Sequence, residues 1–149
     1  MRTLTARRRH LAGDRGALSL EAMVLFPVLI MVLLLVVAFG RVTSSHNAVD
    51  AAARNAARAA SLERNAGSAS SAGQATAREV LGQQGLQCTS TSVSISTGGF
   101  STGIGEPAST TATVTCVVNL SDIALPGLPG SKTMTSSFTS PIDSYRQRG

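Results

Sequence analysis

Residues 22–40 read AMVLFPVLIMVLLLVVAFG, 19 residues without one charge. At about 1.5 Å of rise per residue a helix of that length runs about 28 Å, close to the roughly 30 Å hydrocarbon core of a bilayer. Five arginines (Arg2, Arg7, Arg8, Arg9 and Arg15) and one acid (Asp14) lie in the 16 residues before it. That placement fits a cytoplasmic flank by the positive-inside rule. A removable secretory signal fits worse, because its apolar region is shorter and ends in a small-x-small site, whereas this run continues as helix. A lipoprotein signal fails because Asp14, not Cys, follows Leu11-Ala12-Gly13. Arg7-Arg8 lacks the rest of a twin-arginine pattern.

Composition agrees with an anchored chain rather than a soluble enzyme. Of 149 residues, 14% are charged and 3% aromatic, well below an ordinary soluble domain in charge. The net charge of +5 would suggest nucleic acid if it formed a face. Most of it sits in the leader, however, and residues 17–149 carry eight basic against seven acidic side chains. No basic patch interleaved with aromatics remains, so nucleic-acid binding is not expected.

Four regions follow along the chain: a basic leader over residues 1–16, with Gly13 and Gly16 as helix breakers; a long helix over 17–66 containing the transmembrane span 22–40; a short helix; and a strand region. In the long helix Val49, Ala52, Ala53, Ala56 and Ala60 fall on one stripe of small side chains, which lets a neighbour approach closely. Gly67–Gly73 (GSASSAG) reads as a hinge, and Gln74–Gln84 as a helix stopped by Gly85. From Cys88 to Ser121, 15 of 34 residues are Ser or Thr. Period-two alternation at Thr91–Thr97, Thr111–Val118 and Thr133–Thr139 predicts a small antiparallel sheet, with turns at Gly98-Gly99, Gly103–Pro107 and Pro126–Gly130. A disordered Ser/Thr stalk competes with that reading, but the alternating Val, Ile and Cys favour strands. The predicted fold class is α+β, with residues 67–149 forming an extracytoplasmic helix-plus-sheet region.

Several residues invite a chemical reading. Pro27 lacks an N–H and leaves the Met23 carbonyl without its helical partner, so a kink is expected, although membrane helices also tolerate proline. Glu21 stands at the edge of the apolar run, where a carboxylate costs about 2.5–3.5 kcal/mol if carried to the bilayer centre. Cys88 and Cys116 are the only cysteines. On the oxidising side of a membrane they favour a disulfide, worth roughly 3.5 kcal/mol for a loop of that length. Two free buried thiols or a pair of metal ligands are the alternatives. The only histidines are His10 and His46, so a zinc site lacks ligands. Gly103-Ile104-Gly105-Glu106-Pro107-Ala108 matches a dinucleotide pattern, but Pro107 and the absence of a βαβ unit make it a turn. No base accompanies the serines, so no catalytic dyad can be drawn; neither an enzymatic activity, a cofactor nor a small-molecule substrate is expected.

A leader ending in Gly16, then Glu21 five residues on, then an apolar helix, resembles a type IV prepilin. The stretch Arg15-Gly16-Ala17-Leu18-Ser19-Leu20-Glu21-Ala22, followed by Leu25-Phe26-Pro27, Phe39-Gly40-Arg41 and the segment Asp50–Ala60, is similar to TadE-like proteins, the pseudopilins of tight-adherence (Flp-type) pilus systems. Leu125-Pro126-Gly127 and the Thr-rich strands fit the same family more loosely. Twelve arginines against one lysine suit a high-GC genome, and the tail resembles actinobacterial members. The resemblance implies cleavage after Gly16, Ala17 as the new N-terminus, and Glu21 as the acid used in subunit alignment. Many pilins carry Phe at the first mature position, so Ala17 suits a minor pilin or pseudopilin. The implied partners are membrane lipid, a prepilin peptidase, other pilins and the pilus assembly platform. The implied location is a single pass through the cytoplasmic membrane with the N-terminus inside. A signal-anchored surface module that binds an external ligand without polymerising is the rival reading, and a membrane-tethered enzyme the more remote one.

Overall fold

A computed structural model describes residues 14–119 and 130–145, with side chains described from Glu21 onward. The leader arginines before Asp14, and Leu125-Pro126-Gly127 with most of the expected Pro126–Gly130 turn, lie outside the described residues. The described chain is α+β: helix α1 (Asp14–Leu62), helix α2 (Ala66–Gln83), strand β1 (Cys88–Ser96), a short 3₁₀ turn (Gly98–Ser101), and strands β2 (Ala108–Asn119) and β3 (Ser131–Ile142). It falls into two compact units that divide between Phe39 and Gly40.

Two local expectations need correction. Gly16 does not stop a helix: α1 begins at Asp14 and runs through it. One glycine costs about 1 kcal/mol in a helix interior, too little to interrupt an element this long. The hinge at Gly67–Gly73 is also wrong, because those residues form the first turns of α2. The helix starts early because Asn65 caps it, its side-chain oxygen accepting from the Ser68 N–H at 2.8 Å. Asn65, read as part of the long helix over 17–66, therefore caps the next one, and α1 stops at Leu62. Small residues serve packing here: Ala69, Gly73, Ala77 and Leu81 form the buried face of α2. A Cβ at Gly73 would stand 2.8 Å from the Ile95 side chain and 3.3 Å from the Ala56 carbonyl oxygen, so α2 crosses α1 backbone to backbone.

In the unit from Gly40 onward, the sheet is a meander in the order β1-β2-β3, antiparallel throughout. Its inner face carries Val93, Ile95, Ala112, Val114, Cys116, Val118 and Met134. These pack with Val49, Ala52, Ala53, Ala56 and Ala57 of α1 and Ala77 and Leu81 of α2 into one core. The alanine stripe is thus covered by the chain's own sheet and second helix. A smaller cluster at one end joins Ala60, Ala69, Phe100 and Ile142. The outer face is hydroxylated: Thr111 pairs with Thr139, Thr113 with Ser137 and Thr115 with Thr135, at 2.9–3.1 Å. The expected turn at Gly103–Pro107 is present, and Gly105 adopts a φ of 92°, which favours glycine. Its N–H donates to the Ser144 carbonyl at 2.9 Å.

Cys88 and Cys116 form a disulfide, with Cα atoms 5.4 Å apart. It ties the first residue of β1 to the last third of β2, next to the bulge at Cys88–Ser90, and closes the whole β1–β2 hairpin.

Because the alanine face is fully buried against backbone-close neighbours, enlarging it is expected to strain the core. Ala56→Leu should lower the unfolding free energy of the unit by about 1–3 kcal/mol, whereas Arg58→Leu on the exposed face should stay within about 0.5 kcal/mol. Thermal melts of the full chain in detergent, read in the far-ultraviolet, check the contrast.

Candidate functional site

The N-terminal unit offers no core of its own for its large side chains. From Met23 to Phe39 they are all exposed, from 43% at Ile30 to 79% at Met23. A stripe on one side would indicate a soluble helix lying on a domain; exposure all round requires an apolar surrounding. This helix is long and apolar enough to cross a membrane, with a peak mean hydropathy of 3.1. Pro27 lies within α1, which continues as helix on both sides of it.

Glu21 is exposed on this helix and lines a shallow groove with Ala22, Leu25, Phe26 and Leu29. These positions share one face by the spacing of the helix. No cation among the described residues pairs with its carboxylate. Since α1 is helical from Asp14, Ala17 stands one turn before Glu21 on the same helix, and Gly16 immediately precedes it. Gly16, Ala17 and Glu21 are therefore brought together by the backbone. Cys88, Cys116 and the sheet belong to the other unit.

A family profile described as TadE-like protein matches residues 16–58. This segment is similar to TadE-like proteins. The match starts at Gly16, includes Glu21 and Pro27, and ends within the alanine stripe. It leaves out both cysteines and all three strands. No curated protein and no solved structure matches the chain.

The TadE-like segment also contains an electrostatic clamp that the sequence reading missed. Asp50 forms a salt bridge with Arg54 at 2.8 Å, one helical turn on. Its other oxygen accepts from the Ser136 hydroxyl of β3 at 2.9 Å. The Arg54 guanidinium in turn lies over the Phe138 ring, 5.6 Å from its centroid, in a cation–π contact. A second polar link, Ser140 to Ser61 at 3.1 Å, joins the same two elements further along. The i,i+4 spacing of Asp50 and Arg54 was visible in the sequence; Ser136, 86 residues away, was not.

The Ser136 hydroxyl holds the Asp50 carboxyl below its ordinary value. Arg54 adds to this through its hydrogen bond and charge, and His46 through charge; partial burial opposes them. A carboxyl lowered on folding stabilises the fold above its unfolded value of about 3.9 and loses that contribution as pH falls through the folded value. Wild type should therefore melt higher than Asp50→Asn at pH 7. The gap should narrow as pH drops below about 4 and close once Asp50 is protonated in both states. Ser136→Ala should reproduce part of the neutral-pH loss. Melts from pH 7 to pH 3 check both.

Proposed function

We propose that this chain is a TadE-like minor pilin or pseudopilin, a structural and non-enzymatic component in the assembly of a tight-adherence pilus. The observation that carries the reading is the TadE-like match over residues 16–58, which begins at Gly16 and keeps Glu21 five residues on, at the mouth of an exposed apolar helix. In this reading a prepilin peptidase cuts after Gly16, leaving an ammonium on Ala17. The leader lies in the cytoplasm, the apolar helix sits in the membrane, and the disulfide-bonded unit is extracytoplasmic. The partners are other pilins and the membrane platform of the pilus machine.

The physical basis is charge pairing in a low-dielectric medium. A lone carboxylate within an apolar helix is costly, and a neighbouring subunit's N-terminal ammonium offsets that cost. The apolar helix of one subunit would thus select another's by both surface and charge. The rival, a signal-anchored surface module that never polymerises, draws on the uncharged hydroxyl face of the sheet, which no described element covers. The two readings separate at Glu21, because a plain anchor is indifferent to it.

Glu21→Ala and Glu21→Gln should both insert in the membrane at wild-type levels, the alanine variant more readily for having lost a polar group. Both should lose cross-linking to, and co-purification with, the other pilins by roughly ten-fold or more, the size expected when one partner of a buried ion pair is removed. Full co-purification by both variants would reduce Glu21 to a helix-end acid and remove the pilin reading.

A further inference from the structure

The unit from Gly40 onward holds a polar cleft at the point where the chain leaves its apolar run. Arg41 is the first charge after residues 22–40. It lines a cavity of about 270 Å³ together with Ser45, Gly85, Gln87, Val118 and Asn119. An adjoining hollow of about 140 Å³ shares Arg41, Ser45 and Gly85 and adds Gln84. The α2–β1 connection and the end of β2 are therefore gathered around the one arginine that immediately follows the span.

A second cation belongs to the same corner. Lys132, the only lysine of the chain, is the cross-strand partner of Val118. Residues directly opposite each other in an antiparallel pair project to the same face, so Lys132 shares the inner face with a wall of the cleft. Among the described residues no carboxylate pairs with either cation. The acids of the neighbouring helices are engaged elsewhere: Asp50 holds Arg54 and accepts from Ser136, and Glu79 accepts from Gln83 at 3.0 Å. Arg41 and several amide groups thus line a polar cavity, Lys132 stands opposite one of its wall residues in the sheet, and neither cation has a carboxylate partner among the described residues.

We infer that this cleft binds the phosphate-bearing headgroup of an anionic phospholipid. Three observations select that occupant. The headgroup layer begins where the hydrocarbon core ends, and Arg41 is the residue at which the apolar run ends. A guanidinium offers a forked set of donors that matches two phosphate oxygens, and Lys132 adds a point charge. Gln87 carries an amide side chain of the kind that bonds the glycerol or ester oxygens of a lipid. The chemistry is shared with free inorganic phosphate; that Arg41 directly follows residues 22–40 in the chain commits the site to the lipid. The inference needs only that α1 crosses a membrane, and stands whether or not the chain joins a pilus.

The full chain in its anchored form tests this. Protein released from vesicles of equal phosphatidylglycerol and phosphatidylcholine would be examined by native mass spectrometry for the lipid it retains. Wild type should keep phosphatidylglycerol in preference to phosphatidylcholine. Arg41→Gln and Lys132→Gln should each lower that preference about five-fold, the size of one basic residue's attraction to an anionic surface. Arg41→Lys should fall between wild type and Arg41→Gln. Arg58→Gln, exposed on α1 and away from the cleft, should change nothing. Circular dichroism and intact disulfide content confirm that each variant is folded. Equal retention of both lipids by wild type, or an unchanged preference in the Arg41→Gln and Lys132→Gln double variant, overturns the inference. So does displacement of the lipid by millimolar inorganic phosphate, which would make the site a general anion site.

Discussion

Everything in the unit beyond Gly40 depends on how closely α1 can be approached. Helices ordinarily pack with axes 8–10 Å apart, a distance set by the side chains at the contact. Here the buried contact residues Val49, Ala52, Ala53, Ala56 and Ala57 of α1 are each no more than 1% exposed. Dispersion between individually weak contacts grows with their number and closeness, so a stripe of methyl groups suffices to hold a three-stranded sheet and a second helix. The partner surfaces are adapted to that closeness: Gly73 lets the Ala56 carbonyl come within van der Waals range, and Ala112 lies at the centre of the sheet's inner face. Polar links then fix register. Asp50 with Ser136, and Ser61 with Ser140, set β3 along α1 at two points.

The same helix carries a second, opposite surface chemistry. From Met23 to Phe39 its large side chains are all exposed; from Ala48 to Ala60 those facing the core are small and buried. The first set has value only in an apolar surrounding, lipid or the helices of other chains. The second set is satisfied within the molecule. The TadE-like match over 16–58 spans both surfaces, so the family signature and the anchoring of the folded unit are one continuous segment. The strands and the disulfide lie outside that match.

Legibility in the sequence followed the length scale of each interaction. The three strands were readable because alternation is local: Ala112, Val114, Cys116 and Val118 announce a buried face by themselves. The alanine stripe was equally local, though what covers it was not. The cysteine pairing was one of three alternatives on composition, and became definite only when the sheet placed the two residues on adjacent strands. α2 was mistaken at its start because Gly and Ser score as hinge residues by propensity, whereas tertiary packing needed their small size and Asn65 supplied the cap. Phe100 and Ile142 closing the distal cluster, and Ser136 reaching Asp50, depend on chain segments far apart in sequence, and no periodicity reports them. Of the candidate site, Gly16, Ala17 and Glu21 were legible because one helical turn relates them; Lys132 opposite Val118, a wall residue of the Arg41 cleft, was not, since only the strand register shows it.

The proposed cut between Gly16 and Ala17 falls within the first turn of α1, the helix that carries both surfaces. The most direct measurement is the intact mass of the chain recovered from the membranes of its native host, with N-terminal sequencing of the same sample. The account predicts a mature protein beginning at Ala17, with the Cys88–Cys116 disulfide closed. A membrane-bound chain that still begins at Met1 would contradict it.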